Sequence, residues 1–145
     1  MAVRLAIVAS SFNAEIVDVM VERAKRRAAA VGARVTHLVR VPGTFEIPLV
    51  LHRLLGLKDV DAAVALGAVI HGETDHDDLI AHAVARKVLD LQTEFDKPIG
   101  LGITGPGMTR AQAEARVDAA DRAVNAAVGM VTGSIKRVGG HAKRR

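Results

Sequence analysis

The chain has 145 residues, half of them apolar and a quarter charged, a balance that excludes wholesale disorder and fits one domain with a real core. It contains no cysteine, which excludes disulfide scaffolds, thiolate metal sites and cysteine nucleophiles. Five of its 20 basic residues (Lys136, Arg137, Lys143, Arg144 and Arg145) fall in the last twelve positions, where there is no acid, so the net charge of +4 belongs to the chain end and the body is close to neutral.

Four short apolar runs alternate with longer amphipathic ones. Residues 3–9 (VRLAIVA) read as a buried strand. Residues 15–31 follow as a helix, with Ile16, Val19, Met20, Ala24, Arg27 and Val31 along one face. Residues 34–41 form a second strand, ended by Pro42-Gly43. A short helix spans 46–56, where Pro48 is tolerated in the first turn. A third strand is expected at 60–66, a helix at 77–94, a fourth strand at 98–103, and a last helix at 110–132. Thr109 and Gln112 have the spacing of a capping box at the start of that helix. Val117, Ala120, Val124, Ala127, Val128 and Val131 form its apolar stripe.

Such alternation predicts an α/β domain over residues 1–133, a sheet of four parallel strands with helices on both faces, followed by a basic, solvated tail at 134–145. No uncharged run reaches the roughly 18–20 residues of a membrane span, and the opening apolar run is too short for an export signal. A cytoplasmic protein is expected, and nucleic-acid binding by the tail is the minor reading.

Ligands of such sheets bind at the carboxyl ends of the strands, and the unusual residues of this chain follow the strands. Ser10 to Asn13 follow the first, Pro42 to Glu46 the second, Gly67 to Asp78 the third, and Thr104 to Gly107 the fourth. Two of only three phenylalanines, Phe12 and Phe45, lie in these segments and suggest an apolar lining for a flat ligand. Glu46 is either a carboxylate favoured by a helix start or an acceptor for ligand hydroxyls and amines.

The segment His71 to Asp78 holds two histidines and four acids. It can be read as a metal site, as a solvated helix start, or as an acid–base centre at His76. The last is preferred because an ordinary histidine both takes and gives a proton near neutrality. Gly105-Pro106-Gly107 before the last helix suggests a weak anion site. Arg116, about two turns into that helix, is a surface arginine or a phosphate clamp.

Four segments in order, SSFN at 10–13, VPGTFEIP at 41–48, GAVIHGETDHDD at 67–78 and GITGPGMTRAQAEARVDAADRAVNAA at 102–127, together resemble the 6,7-dimethyl-8-ribityllumazine synthases, and the last resembles the archaeal branch of that family. The resemblance covers about residues 3–132. It implies a three-layer, flavodoxin-like, doubly wound fold. The implied reaction is a transferase step of riboflavin biosynthesis. It condenses 5-amino-6-(D-ribitylamino)uracil with 3,4-dihydroxy-2-butanone 4-phosphate, without metal or organic cofactor.

By resemblance, Phe12 would stack on the pyrimidine, and Thr44, Phe45 and Glu46 would hold the ribityl chain and ring edge. Ala68, Val69 and Ile70 would present backbone groups to the uracil. Glu73 and Thr74 would face the phosphate of the second substrate, His76 would transfer protons, and Arg116 would bind that phosphate. Leu101 falls where many members place a second aromatic. The family also implies pentamers, some built into icosahedral shells of sixty, with Phe12 to His76 from one subunit and Leu101 and Arg116 from the next. A riboflavin synthase paralogue and a non-catalytic lumazine-binding shell protein are the alternatives.

Overall fold

The computed structural model describes residues 2–72 and 76–133. The elements in chain order are β1 (Val3–Ser10), α1 (Ala14–Ala30), β2 (Ala33–Val41), a single 3-10 turn (Thr44–Glu46), α2 (Ile47–Leu55), β3 (Ala62–Ile70), α3 (Asp77–Phe95), β4 (Ile99–Met108), α4 (Arg110–Ala115) and α5 (Ala119–Thr132). The strands form one parallel sheet in the order β2-β1-β3-β4. This is the expected doubly wound, flavodoxin-like arrangement.

Burial explains the order. All nine residues of β3 are buried, and so is β1 except for Arg4; near-continuous apolar runs of this kind suit strands covered on both faces. β2 at the edge is only half-buried. One face of the sheet packs Leu5, Ile7, Val64 and Leu66 against α1 and α5. The other packs Ala6, Val8, Ala63 and Ala65 against α2 and α3. The buried stripe of α1 runs through Ile16, Val17, Met20, Val21, Ala24 and Ala28. It is rotated from the expected one: Val19 is exposed and Arg27 points outward to Asn125.

Two strands outlast their expected ends. β3 continues through Gly67 to Ile70, and β4 continues through the glycine segment to Met108. Between the pairs Ala68–Thr104 and Ile70–Met108 the register shifts, so three residues of β4 stand opposite Val69 alone, a bulge that absorbs Gly105 and Gly107 at positive φ. The expected single last helix is two helices. The capping box of Thr109 and Gln112 is present, but around Arg116 the chain turns through i→i+3 bonds, Arg116 N–H to Ala113 O (3.1 Å) and Ala119 N–H to Arg116 O (3.1 Å). No proline or glycine marks the break. It comes from tertiary packing, since α4 sits against the ends of β3 and β4 while α5 lies along α1 and β4.

The approach of α5 to the sheet is set by glycine. A Cβ on Gly100 would overlap the backbone carbonyl of Ala123, and one on Gly102 would come within 2.6 Å of the Leu66 side chain. At the opposite end of the sheet, the Arg4 guanidinium grips Asp61 through Nε (3.1 Å) and Nη2 (2.9 Å), and the Arg4 N–H adds a third bond (2.8 Å). The Asp61 carboxyl is held below the usual carboxylate range by these Arg4 side-chain bonds. Among the described residues no helix is long and apolar enough to cross a membrane.

Gly100→Ala is expected to destabilise the fold by about 2–3 kcal/mol, the upper part of the overpacking range, read as a lower urea midpoint. The Arg4–Asp61 pair stabilises above the unfolded carboxylate pKa of about 3.9, and its contribution is lost as pH falls through the lowered folded value. Asp61→Asn should therefore reduce stability at pH 7 and flatten the acid limb of the pH–stability curve measured by thermal melting.

Candidate active site

At the carboxyl edge of the sheet, β1 and β3 are neighbours whose following helices go to opposite faces, the switch point where such folds form a crevice. A cleft of about 210 Å³ lies there. It is lined by Phe12 and Phe45, by Thr44 and Glu46, and by Ala68, Val69 and Ile70 at the end of β3. Both phenylalanine rings are more than half exposed, 54% and 61%, which is costly for an aromatic unless something covers it. The volume is below the roughly 300–1,000 Å³ of a typical small-molecule site, so one chain offers room for a single ring system.

β3 outruns its neighbour. Its pairing with β1 ends at Ala9–Leu66, yet the strand continues to Ile70. The last residues of β3 therefore carry backbone N–H and C=O groups past the end of β1, where the planar edge of a ligand can pair with them.

Three strand ends are laced together around the cleft. The Ser11 N–H donates to Val41 O (2.7 Å) and the Phe12 N–H to Pro42 O (3.1 Å), which joins the segment after β1 to that after β2. Asn13 Nδ2 donates to Ala68 O (2.9 Å), which joins it to β3. Asn13 adopts φ 59°, ψ 46°, the left-handed region that asparagine tolerates better than most residues. Its side chain serves the cleft and does not cap α1. Gly67 allows the crossing beneath, since a Cβ there would meet Thr44 Oγ1 at 3.0 Å and Ser10 Oγ at 3.3 Å.

A second set of bonds ties the start of α3 to the end of β4. The His71 N–H donates to Met108 O (2.8 Å). Asp77, only 6% exposed, accepts the Gly107 N–H on Oδ2 (3.2 Å), and the same oxygen lies 3.3 Å from His71 Nδ1. The Gly107 N–H, and then His71, hold the Asp77 carboxyl below its usual range against the opposing effect of burial. At the glycine turn, where a weak anion site is expected, the Gly107 N–H is therefore already taken by the chain's own carboxylate. Thr109 and Gln112 satisfy each other at the start of α4.

The sequence matches the profile of 6,7-dimethyl-8-ribityllumazine synthase over residues 2–134. Among curated relatives, the protein of that name from Methanopyrus kandleri is 52% identical over 129 residues, 89% of this chain and 92% of the relative. That from Methanocaldococcus jannaschii is 50% identical with the same coverage, and that from Archaeoglobus fulgidus is 49% identical, covering 89% of this chain and 90% of the relative. The chain belongs to the 6,7-dimethyl-8-ribityllumazine synthase family.

For a lumazine synthase family member, the cleft gathers Phe12, Thr44, Phe45, Glu46, Ala68, Val69 and Ile70 from the expected set. His76 stands at the N-terminus of α3, exposed, with its carbonyl accepting the Ile80 N–H (2.9 Å). Ile80 itself lines the cleft, so the histidine is one helical turn from it. Glu73 and Thr74 lie outside the described residues. Leu101 and Arg116 are not brought to this cleft. Leu101, 46% exposed on β4, lines a different hollow with His82. Arg116 is not two turns inside a helix but is exposed at the turn between α4 and α5.

Sequence pattern alone did not single out Asn13, Ile80 or Asp77. Asn13 belonged to a recognised segment, and its hydrogen-bonding side chain beside Phe12 was the available signal. Ile80 is one turn past His76, a spacing visible only once α3 is placed. Asp77 is one of four acids in eight residues, and burial is what separates it from the others.

Asn13→Ala removes one bond, worth about 1 kcal/mol, and adds a left-handed penalty of roughly 1–2 kcal/mol. Asn13→Gly removes the same bond without that penalty. Denaturant titration should therefore rank wild type above Asn13→Gly and Asn13→Gly above Asn13→Ala. Equal stability of the two variants would mean that the backbone conformation at Asn13 carries no weight.

Proposed function

We propose that this chain condenses 5-amino-6-(D-ribitylamino)uracil with 3,4-dihydroxy-2-butanone 4-phosphate to 6,7-dimethyl-8-ribityllumazine, releasing phosphate and water. The observation that carries the reading is the cleft at the β1/β3 switch. Two phenylalanines, the last residues of β3 and the Glu46 carboxylate line it, which suits a flat, polar-edged heterocycle with a hydroxylated side chain. On this reading the pyrimidine lies against Phe12 and its edge meets the backbone of Ala68, Val69 and Ile70. Asn13 already engages one of those carbonyls, so the remaining groups read the ring. Thr44, Phe45 and Glu46 hold the ribityl chain.

The chemistry asks for proton movement more than for a strong nucleophile. The pyrimidine amine attacks the ketone carbon, and water leaves to give an imine. A proton is then removed from the carbon skeleton as the C–O bond to phosphate breaks, and the second amine closes the ring with loss of another water. His76 is assigned the proton transfers, and Glu73 and Thr74 the phosphate of the second substrate. Much of the rate comes from holding two polyfunctional molecules together.

Leu101 and Arg116 stand away from the cleft of their own chain, and several large apolar side chains are exposed: Phe45, Leu49, Leu79 and Leu101. We assign both residues to the cleft of a neighbouring copy in a homopentamer, either free or assembled into a shell of sixty, located in the cytoplasm. The basic tail expected at 134–145 lies outside the described residues.

The test is to mix the purified protein with both substrates and identify the product over time. The absence of Trp and Tyr leaves little near-ultraviolet background. His76→Ala should reduce kcat by a factor within or below the ~10²–10⁴ typical of acid–base residues, and Arg116→Ala should raise KM for the phosphate substrate. Co-assembled His76→Ala and Arg116→Ala subunits should exceed the activity of either parent, because some shared sites then receive both wild-type residues. Unchanged kinetics in both variants would remove the residue assignments, and no product above the uncatalysed rate would remove the activity.

A further inference from the structure

Among the described residues Asp77 is the one buried acid, and it joins two segments that the sequence keeps thirty residues apart. We propose that Asp77 is a positioning residue that locks His76 to the glycine turn of β4, so that the proton-transfer group is held by the sheet. The proposal rests on the lumazine synthase reading given above.

The geometry is a closed tie. His71, at the end of β3, is fixed to Met108 through its backbone N–H. Asp77, the first residue of α3, is fixed to Gly107 through Oδ2. The chain between His71 and Asp77 is thus anchored at both ends to adjacent residues of one strand. The same Oδ2 faces His71 Nδ1, so the carboxylate also links the two ends to each other. His76 directly precedes Asp77, and its carbonyl begins the α3 ladder at Ile80. Its backbone cannot shift without breaking the Asp77–Gly107 bond or unwinding the first turn of α3.

The glycine turn is shaped for this role. Gly107 sits at φ +73°, which aims its N–H at the carboxylate, and a Cβ on Gly105 would overlap the Val69 carbonyl. The turn therefore packs onto the cleft lining at Val69 while it holds Asp77. Cleft lining, glycine turn and His76 are coupled by backbone contacts alone at every link except the Asp77 side chain. An ordinary first-turn acid would be solvated and replaceable, whereas this one is buried and aimed at a specific N–H.

Asp77→Ala should lower kcat by up to about 10², the scale of a misplacement near one ångström, with KM for both substrates changed less than about twofold. Asp77→Asn, which still accepts the Gly107 N–H through its amide oxygen, should recover a large part of that loss. In a His76→Ala background, Asp77→Ala should have little further effect, because a residue acting through His76 has nothing left to position. Amide exchange at Gly107 should accelerate in Asp77→Ala while β1 stays protected.

Wild-type kcat in Asp77→Ala, or a loss that repeats in full on top of His76→Ala, would overturn the proposal. So would an Asp77→Asn variant as slow as Asp77→Ala. If the wild-type chain forms no lumazine, the functional reading falls. Exchange at Gly107 still decides the tie: unchanged protection in Asp77→Ala means that it does not exist.

Discussion

Helix α5 rests directly on the backbone of β4, because Gly100 and Gly102 place no side chain between them. That contact decides more than core density. It fixes the height of β4 in the sheet, and the end of β4 supplies Met108 O to His71 just after β3 and the Gly107 N–H to Asp77 at the start of α3. Lifting α5 by the thickness of a methyl group would move the strand to which the candidate catalytic segment is tied. Close-packed interiors transmit such shifts because they have no slack to absorb them.

The cleft is organised by a second device, which is polar. Asn13 spends its side chain on Ala68 O, and the Ser11 and Phe12 amides on the segment after β2. Three strand ends become one unit before any ligand arrives, and the entropy of ordering the walls is paid during folding. The exposed faces of Phe12 and Phe45 are the counterpart. A rigid, uncovered aromatic pair is unfavourable in water and favourable once a flat molecule or a neighbouring surface displaces that water.

Much of this was legible in the sequence. β1 and β3 are apolar runs with no competing pattern, so their existence and parallel burial follow from composition. Phe12 and Phe45 stood out because the chain uses almost no aromatics and placed two of three at strand ends, whereas Glu46 was marked by its place at a helix start and Thr44 by the family resemblance alone. The limits are equally physical. Gly67 to Ile70 and Gly105 to Gly107 contain turn-forming glycines, yet both segments stay in the sheet, one by close packing against Thr44 and the other through a bulge. The break at Arg116 carries no proline or glycine; Val117 and Asp118 are modest helix formers and Asp118 is a favoured residue at the N-cap of α5, a weak local signal that the different partners of α4 and α5 reinforce. The stripe of α1 was misplaced by a rotation, because Val19 is apolar enough to be counted inward and Arg27 lies one turn from buried Ala24. Asp77 could not be told from Asp75 or Asp78 without burial.

The charge at the glycine turn constrains how the proposed reaction handles phosphate. A turn of backbone N–H groups ahead of a helix would ordinarily receive an anion, but here Asp77 has taken that place and brings a buried negative charge. A phosphate arriving beside it is repelled unless a cation intervenes, and among the described residues the cleft lining contains none. Arg116 has a suitable guanidinium, but its own chain holds it at the turn between α4 and α5, outside the lining of the cleft. Among the described residues of one chain, then, the cleft offers a lining for the proposed ring and no cation for the proposed phosphate; Glu73 and Thr74, also assigned to that phosphate, lie outside them. On the proposed reaction, the guanidinium that would face the leaving phosphate is the one assigned to the neighbouring copy, which ties the proposed assembly to the proposed chemistry.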